Sequence, residues 1–454
     1  MPDKKRLLLI NPWVYDFTAC DFWLRPLGLL YLASVIREYT TLEIDFLDFL
    51  DCSQIDNRNG FRRRLRPDGR ASFYKEEVSK PDLFRHIPRK FSRYGWPLSR
   101  AEEILKELPA PEAVLLTCTM TYWYPGVQTT VELIRKIFGQ VPVILGGIYA
   151  TLCPEHARSQ SGAGVVVTGA GENRILPLLE EICGPSAMKP GWKEARFSGL
   201  DSLPLPAYDL YQDRSMVCLL TSRGCPLDCS YCASRLLYQG FEQRLPERVA
   251  SEIIHFRSLG ARNIAFYDDA LLLDQDRHLS KILEAVASLR PVLKFHTPNG
   301  LSPRAVDRKL AVLMKKAGFS SVFLSLESAD PAWLRQTGPK VEASDLERAL
   351  DCLEKAGFSR DEVSVYILVG QPLQTAGQVL DSLKFVRRLG ARPRLAYYSP
   401  VPGTRDWKKL VESGKLKADS DPLLHNKLVF PYFWGSINPD ELETIKQAAR
   451  SGHG

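Results

Sequence analysis

Four consecutive apolar residues, Leu7 to Ile10, open a pattern in which apolar runs and amphipathic stretches alternate over the first 183 residues. Short apolar runs bounded by turn residues read as buried strands, and apolar positions recurring every three or four residues read as helices. The pattern predicts strands at Leu7–Ile10, Leu42–Leu47, Ala113–Leu116, Val141–Leu145 and Gly164–Val167, and helices at Leu27–Arg37, Val127–Phe138 and Arg174–Ile182. Strands that alternate with helices favour a parallel sheet covered on both faces. Residues 184–211 carry Pro and Gly without periodicity and read as a linker. Six further strands are predicted beyond it, at Met216–Thr221, Asn263–Tyr267, Leu293–Thr297, Ser320–Leu326, Val363–Val369 and Arg394–Tyr398. Helical patterns fall between them, as at Pro246–Ser258, which has Pro at its start and Gly260 just past its end. The expected fold is therefore α/β: a Rossmann-like domain over 1–183, the linker 184–211, a partial (β/α)6 barrel over 212–404 and a short extension over 405–454. That extension is expected either to cover the barrel mouth or to pack as a tail.

Composition narrows the class. Hydrophobic residues at 45% and charged residues at 25% belong to an ordinary globular chain and exclude wholesale disorder. Ten Cys in 454 residues exclude a disulfide-dense scaffold. The net charge of +7 is concentrated in an insertion over 52–110, where residues 57–100 hold thirteen Lys or Arg against four acids. Such a segment can meet phosphate or nucleic acid, or simply be a solvated face. The solvated face is preferred, and between Arg58 and Lys75 the stacking aromatics are few, Phe61, Phe73 and Tyr74. No apolar run approaches the ~18 residues of a membrane span, and the N-terminal run is too short for an export-signal core. A cytoplasmic protein with reduced thiols is expected, and in that compartment clustered Cys point to metal.

Three Cys are packed into Cys225-Pro-Leu-Asp-Cys229-Ser-Tyr-Cys232, just after the first strand of the second half, at the end where barrel chemistry is usually placed. Three thiolates on one loop can hold three irons of a four-iron, four-sulfur cluster and leave the fourth iron open. A tetrahedral zinc site wants a fourth ligand, but Cys218 lies inside the preceding strand and no His occurs between His156 and His255. With Gly224 before the motif and Tyr231 before its last Cys, the sequence resembles the radical S-adenosylmethionine (SAM) superfamily. The resemblance implies that the open iron chelates SAM and that an electron from the cluster cleaves SAM to a 5'-deoxyadenosyl radical, with Tyr231 near SAM. It implies, too, that Asp268 and Asp269, ending the second strand, face the amino end of SAM, although a loop or cap role is open for each. Ser325 and Glu327, ending the fourth strand, look like the family's polar ribose or carboxylate contact. His296 reads as a structural histidine.

The first half adds a second resemblance. Pro26-Leu-Gly-Leu-Leu-Tyr-Leu-Ala33, Thr117-Cys-Thr119, Gly146-Gly147 with Tyr149-Ala-Thr151, and Gly169-Ala-Gly-Glu172 are similar to radical SAM enzymes with an N-terminal cobalamin-binding domain. This implies cobalamin contacts at Thr117, Thr119, Gly146, Gly147 and Gly169, where the alternative is ordinary turns at a sheet edge. The loop Trp13–Asp21 has no His, so no cobalt ligand is expected from it. Trp13 and Tyr122-Trp-Tyr124 read as core or interface packing rather than as corrin neighbours. The leading expectation is a cobalamin-dependent methyltransferase that acts on an unactivated carbon of a small molecule or peptide and is served by an electron donor such as flavodoxin or ferredoxin. The alternatives are a cyclisation or rearrangement, with or without cobalamin, and an iron-sulfur protein whose basic segment grips RNA. No catalytic residue beyond the cluster ligands is assigned, neither membrane nor nucleic acid is an expected partner, and the remaining Cys lack the spacing of a second cluster.

Overall fold

Leu7, Leu8, Leu9 and Ile10 are each at most 1% exposed because their strand, β1 (Arg6–Asn11), is an interior one, flanked on both sides and covered on both faces. Four parallel partners complete the sheet: β2 (Glu43–Asp48), β3 (Ala113–Cys118), β4 (Val143–Gly147) and β5 (Val165–Val166), in the order β2-β1-β3-β4-β5. The strand order reverses beside β1, the place where open α/β sheets bind ligands at their carboxyl ends. The computed structural model describes residues 5–55, 65–338 and 341–450; Arg58, Phe61, Arg62, Arg63 and Arg64 of the basic stretch lie outside them.

The chain divides into two compact units, Met1–Arg214 and Ser215–Gly454. Residues 184–211, read from the sequence as a linker, are held on the first unit. Ala207 N–H donates to Leu30 O at 3.1 Å, and the Tyr211 hydroxyl donates to the buried Asp48 carboxylate at 2.6 Å. The described part of the basic insertion forms two short strands, Lys75–Glu77 and Ser92–Tyr94; Ser92–Tyr94 is the central one and pairs antiparallel both with Lys75–Glu77 and with Val14–Asp16 of the loop after β1. Arg70, Arg85, Lys90 and Arg93 pair with Asp68, Asp82, Glu77 and Glu76, so each of the four acids of residues 57–100 is paired within the stretch.

In the second unit six strands follow one another as parallel neighbours: β6 (Met216–Leu219), β7 (Asn263–Phe266), β8 (Lys294–His296), β9 (Phe319–Glu327), β10 (Val363–Val369) and β11 (Arg392–Tyr397). Among the described residues β6 and β11 do not pair with each other, so the barrel is open. Phe266, Phe295 and Phe319 stack across β7, β8 and β9 with centroids 5.4 to 6.0 Å apart, an aromatic ladder that fastens adjacent strands. His296 is fully buried with both ring nitrogens bonded, Nε2 to Asn263 Oδ1 at 3.0 Å and Nδ1 to Ser321 Oγ at 3.1 Å. Beyond β11 lie the helices Arg405–Glu412, Phe430–Phe433 and Pro439–Arg450. Phe430 is seated against Gly370, where a Cβ would come within 3.0 Å of its ring. Among the described residues no helix is long and apolar enough to cross a membrane.

Candidate active site

The cysteine loop leaves β6 through a narrow neck. Ser222–Gly224 pairs antiparallel with Phe241–Gln243 and clips the two ends of the loop together. Gly224 turns there with φ +81°, and a Cβ on it would lie 2.3 Å from Gly240 O, so only glycine fits. Cys225 and Cys229 are partly exposed, Cys232 is exposed, and none of the three is in a disulfide. Local bonds shape the turn: Cys232 N–H donates to Cys229 O at 3.1 Å, and Cys232 Sγ lies 3.2 Å from Ser234 Oγ. Ser230 Oγ is buried between these thiols in sequence and has no hydrogen-bond partner among the described residues. A buried hydroxyl of this kind needs an acceptor, and cluster or thiolate sulfur would supply one. Among the described residues no three His, Cys, Asp or Glu side chains form a site for one ion. Three thiols on one turn instead suit a multi-iron cluster, in which each takes a different iron.

The strand ends sort the other sequence candidates into two groups. Asp268, 3% exposed, turns back towards β6, where its carboxylate accepts from Thr221 N–H at 3.0 Å, Thr221 Oγ at 2.7 Å and Ser222 Oγ at 2.6 Å. Burial pushes its pKa up to about 6 against the opposing pull of these bonds. Asp268 therefore anchors the entry to the cysteine loop, and Asp269 beside it is exposed. In the second group, Tyr231 and Glu327 lie close to the thiols. Tyr231 hydrogen-bonds Cys229, and its phenol is raised well above its usual pKa by burial first, then by the Glu327 carboxylate. Glu327 sits at φ +69°, just after a register shift between β9 and β10, a bulge that re-aims its side chain. Ser325, 3% exposed, packs where Gly300 leaves room; a Cβ on Gly300 would lie 2.4 Å from Ser325 Oγ.

In the first unit, Thr117 pairs with Gly146 and Cys118 with Gly147 across β3 and β4. Gly147, at φ +92°, admits no side chain, since a Cβ would lie 2.7 Å from Thr117 Oγ1 and 2.9 Å from Cys118 N. Thr151 Oγ1 donates to Gly147 O at 2.8 Å and accepts from Gly169 N–H at 3.0 Å, which ties the glycines into one edge. A Cβ on Gly169 would meet nothing within 4 Å, so this edge has open space in front of its backbone and partly exposed Thr117 and Thr119 beside it, a cradle that suits a large ligand. Burial pushes the Cys118 and Cys153 thiols up to about 12, so both remain protonated near neutral pH. Trp13, Tyr122 and Tyr124 are buried packing residues. The loop after β1, where the sequence has no His, is engaged instead as the strand Val14–Asp16, and Asp16 accepts from the Trp123 indole at 2.9 Å.

Comparison with known proteins agrees with both halves. The Radical SAM superfamily model matches residues 219–386, and the B12 binding domain model matches residues 95–178. The chain belongs to the cobalamin-dependent radical SAM enzymes. This radical SAM enzyme is 25% identical to an uncharacterised methyltransferase of Pyrococcus horikoshii over 86% of its own length and 79% of that protein. It is 22% identical to the cytidylyl-2-hydroxyethylphosphonate methyltransferase of Streptomyces wedmorensis over 84% of its length and 76% of that protein. Its fold resembles that of the radical SAM methyltransferase TsrM from Kitasatospora setae, solved with cobalamin and a [4Fe-4S] cluster bound. The TM-score is 0.63 at 17% identity, over 90% of this chain and 75% of that one. The matched B12 segment of this radical SAM enzyme contains Thr117, Thr119, Gly146, Gly147 and Gly169, and the radical SAM segment contains Cys225, Cys229 and Cys232. Sequence reading missed Ser230, Gly300 and Gly338. The last closes on the loop from a distant helix end, where a Cβ would sit 3.1 Å from Cys229 Cα, and no local motif signals such a contact.

Proposed function

We propose that this enzyme transfers a methyl group from SAM, with cobalamin as carrier, to an unactivated carbon of a small molecule or peptide. The observation that carries the reading is the presence in one chain of a three-thiol loop on an open barrel and a glycine-edged parallel sheet. The two methyltransferase relatives support it. When bound, the cluster and SAM supply a radical able to remove a substrate hydrogen, and cobalamin supplies the methyl carrier. Cys225, Cys229 and Cys232 would hold the cluster. Tyr231, Ser325 and Glu327 would line SAM, and Asp269, exposed beside the buried Asp268 that Thr221 and Ser222 hold, would face its ammonium. Thr117, Thr119, Gly146, Gly147 and Gly169 would bind cobalamin through backbone and hydroxyl groups. Reduction requires an electron donor, and flavodoxin or ferredoxin is the class proposed, in a cytoplasm that keeps the thiols reduced.

The test is to purify the protein without oxygen from cells supplied with hydroxocobalamin, and to measure iron, corrin and the products formed from SAM under reduction. About four irons and one corrin per chain, with both 5'-deoxyadenosine and S-adenosylhomocysteine formed, are expected. Iron without corrin would remove cobalamin from the mechanism. Deoxyadenosine without S-adenosylhomocysteine would replace methylation by a cyclisation or rearrangement.

A further inference from the structure

The Cys229–Ser230 segment is gripped from two sides by parts of the barrel remote in sequence. Ser230 N–H donates to Thr337 O at 2.7 Å, at the end of the helix Pro331–Thr337. Ser230 O accepts at 3.0 Å from the N–H of Asp406, in the first turn of the helix Arg405–Glu412. That helix is capped by Thr404, whose hydroxyl accepts from Trp407 N–H at 3.2 Å. Arg405 adds a bond to Asp228 O at 2.5 Å. The two grips are also joined to each other: the Trp333 indole donates to Gln371 Oε1 at 2.9 Å, and Gln371 Nε2 donates to Asp406 Oδ2 at 3.2 Å. Gln371 and Asp406 are each 1% exposed and Trp333 is 9% exposed, so water does not compete for these bonds.

We propose that Gln371 and Asp406 are positioning residues for the cluster: with Thr337 Oγ1 donating to Trp333 O at 3.0 Å, they close a hydrogen-bonded ring, Ser230–Thr337–Trp333–Gln371–Asp406, that sets the direction of the Cys229 and Cys232 thiols. The proposal rests on the radical SAM reading above. Neither residue ligates iron. A loop of eight residues with three ligands gains cluster affinity when its backbone is ordered in advance, because less entropy is lost on loading. Outer groups that orient the ligands also tune the metal they hold. Gln suits position 371 because its one amide accepts from the indole and donates to the carboxylate, which neither Leu nor Glu can do together.

The experiment uses the full chain with its cluster reconstituted without oxygen, and reads two quantities: the rate of iron release to a ferrous chelator, and the electron paramagnetic resonance spectrum of the reduced cluster with and without SAM. Gln371→Leu is expected to release iron about tenfold faster and to shift and broaden the spectrum. Gln371→Glu keeps the shape but sets a carboxylate against Asp406, and should move both readings the same way, so it decides the matter if Gln371→Leu does not fold. Asp406→Asn keeps an acceptor for Gln371 and should stay within about twofold of the parent. Ser280→Ala removes an equally buried bond, 2.7 Å to Gln275, away from the cysteine loop, and serves as control. If both Gln371 variants release iron no faster than Ser280→Ala and leave the spectrum unchanged, the ring is ordinary core packing and the proposal falls. A parent protein that takes up no cluster would instead overturn the radical SAM reading.

Discussion

Asp268 illustrates how far a single carboxylate can be read in advance. Its place at the end of β7 followed from the sequence, but its direction did not: the side chain turns back to Thr221 and Ser222 rather than outward. Its folded pKa of about 6 lies above the usual aspartate value, so the folded state holds the proton more tightly than the unfolded chain. The stability this contributes is complete below the unfolded pKa and is lost as pH rises through about 6. In Asp268→Asn the group cannot ionise. The stability of the parent minus that of Asp268→Asn should therefore fall between about pH 4 and pH 6, by at most about 3 kcal/mol, and be flat above pH 7. Denaturant titrations across that range check it, and a constant difference would reject the assignment of the proton to Asp268. Glu327 gave a similar partial signal, since the residue was legible while its left-handed backbone and the bulge before it were not.

Among the elements, legibility followed the strength of local pattern. The strand Val363–Val369 and the helix Pro246–Ser258 have the bounds read from the sequence, the one an almost uniformly apolar run, the other bracketed by Pro and Gly. The three-stranded sheet of Val14–Asp16, Ser92–Tyr94 and Lys75–Glu77 was not foreseen, because three residues show no period and their partners lie far apart in the chain. The ring through Trp333, Gln371 and Asp406 escaped for the same reason. The ladder of Phe266, Phe295 and Phe319 is a further long-range device, and its middle member is fully buried. Phe295→Ala should cost about 3–5 kcal/mol by lost burial and the cavity left behind. Chemical denaturation measures this, and a loss under about 1 kcal/mol would mean that the ladder does not fasten these strands.

For the whole molecule, the division into two units implies separable cofactor loading. Gly147→Ala forces a side chain onto Thr117 and the Cys118 backbone, and is expected to abolish corrin binding while iron content stays near that of the parent. Cys229→Ala should do the reverse. Metal analysis and corrin absorbance on the same preparations check both, and loss of both cofactors in either variant would show that the sites load together. The fold class and the three-Cys motif were legible because each rests on a compact signal, alternating strands and helices in one case and eight residues in the other. The substrate has no such signal, since the side chains that contact it are drawn from many separated segments.

An open barrel also has a bearing on solubility. The outermost strand, β11, pairs only with β10 among the described residues, so its far side could template the addition of a strand from another molecule. Its sequence opposes that. Pro393 offers no N–H to an incoming strand, and the charged Arg394 beside it is exposed. The opening that keeps the barrel accessible is thereby prevented from becoming a seam along which copies of the chain polymerise.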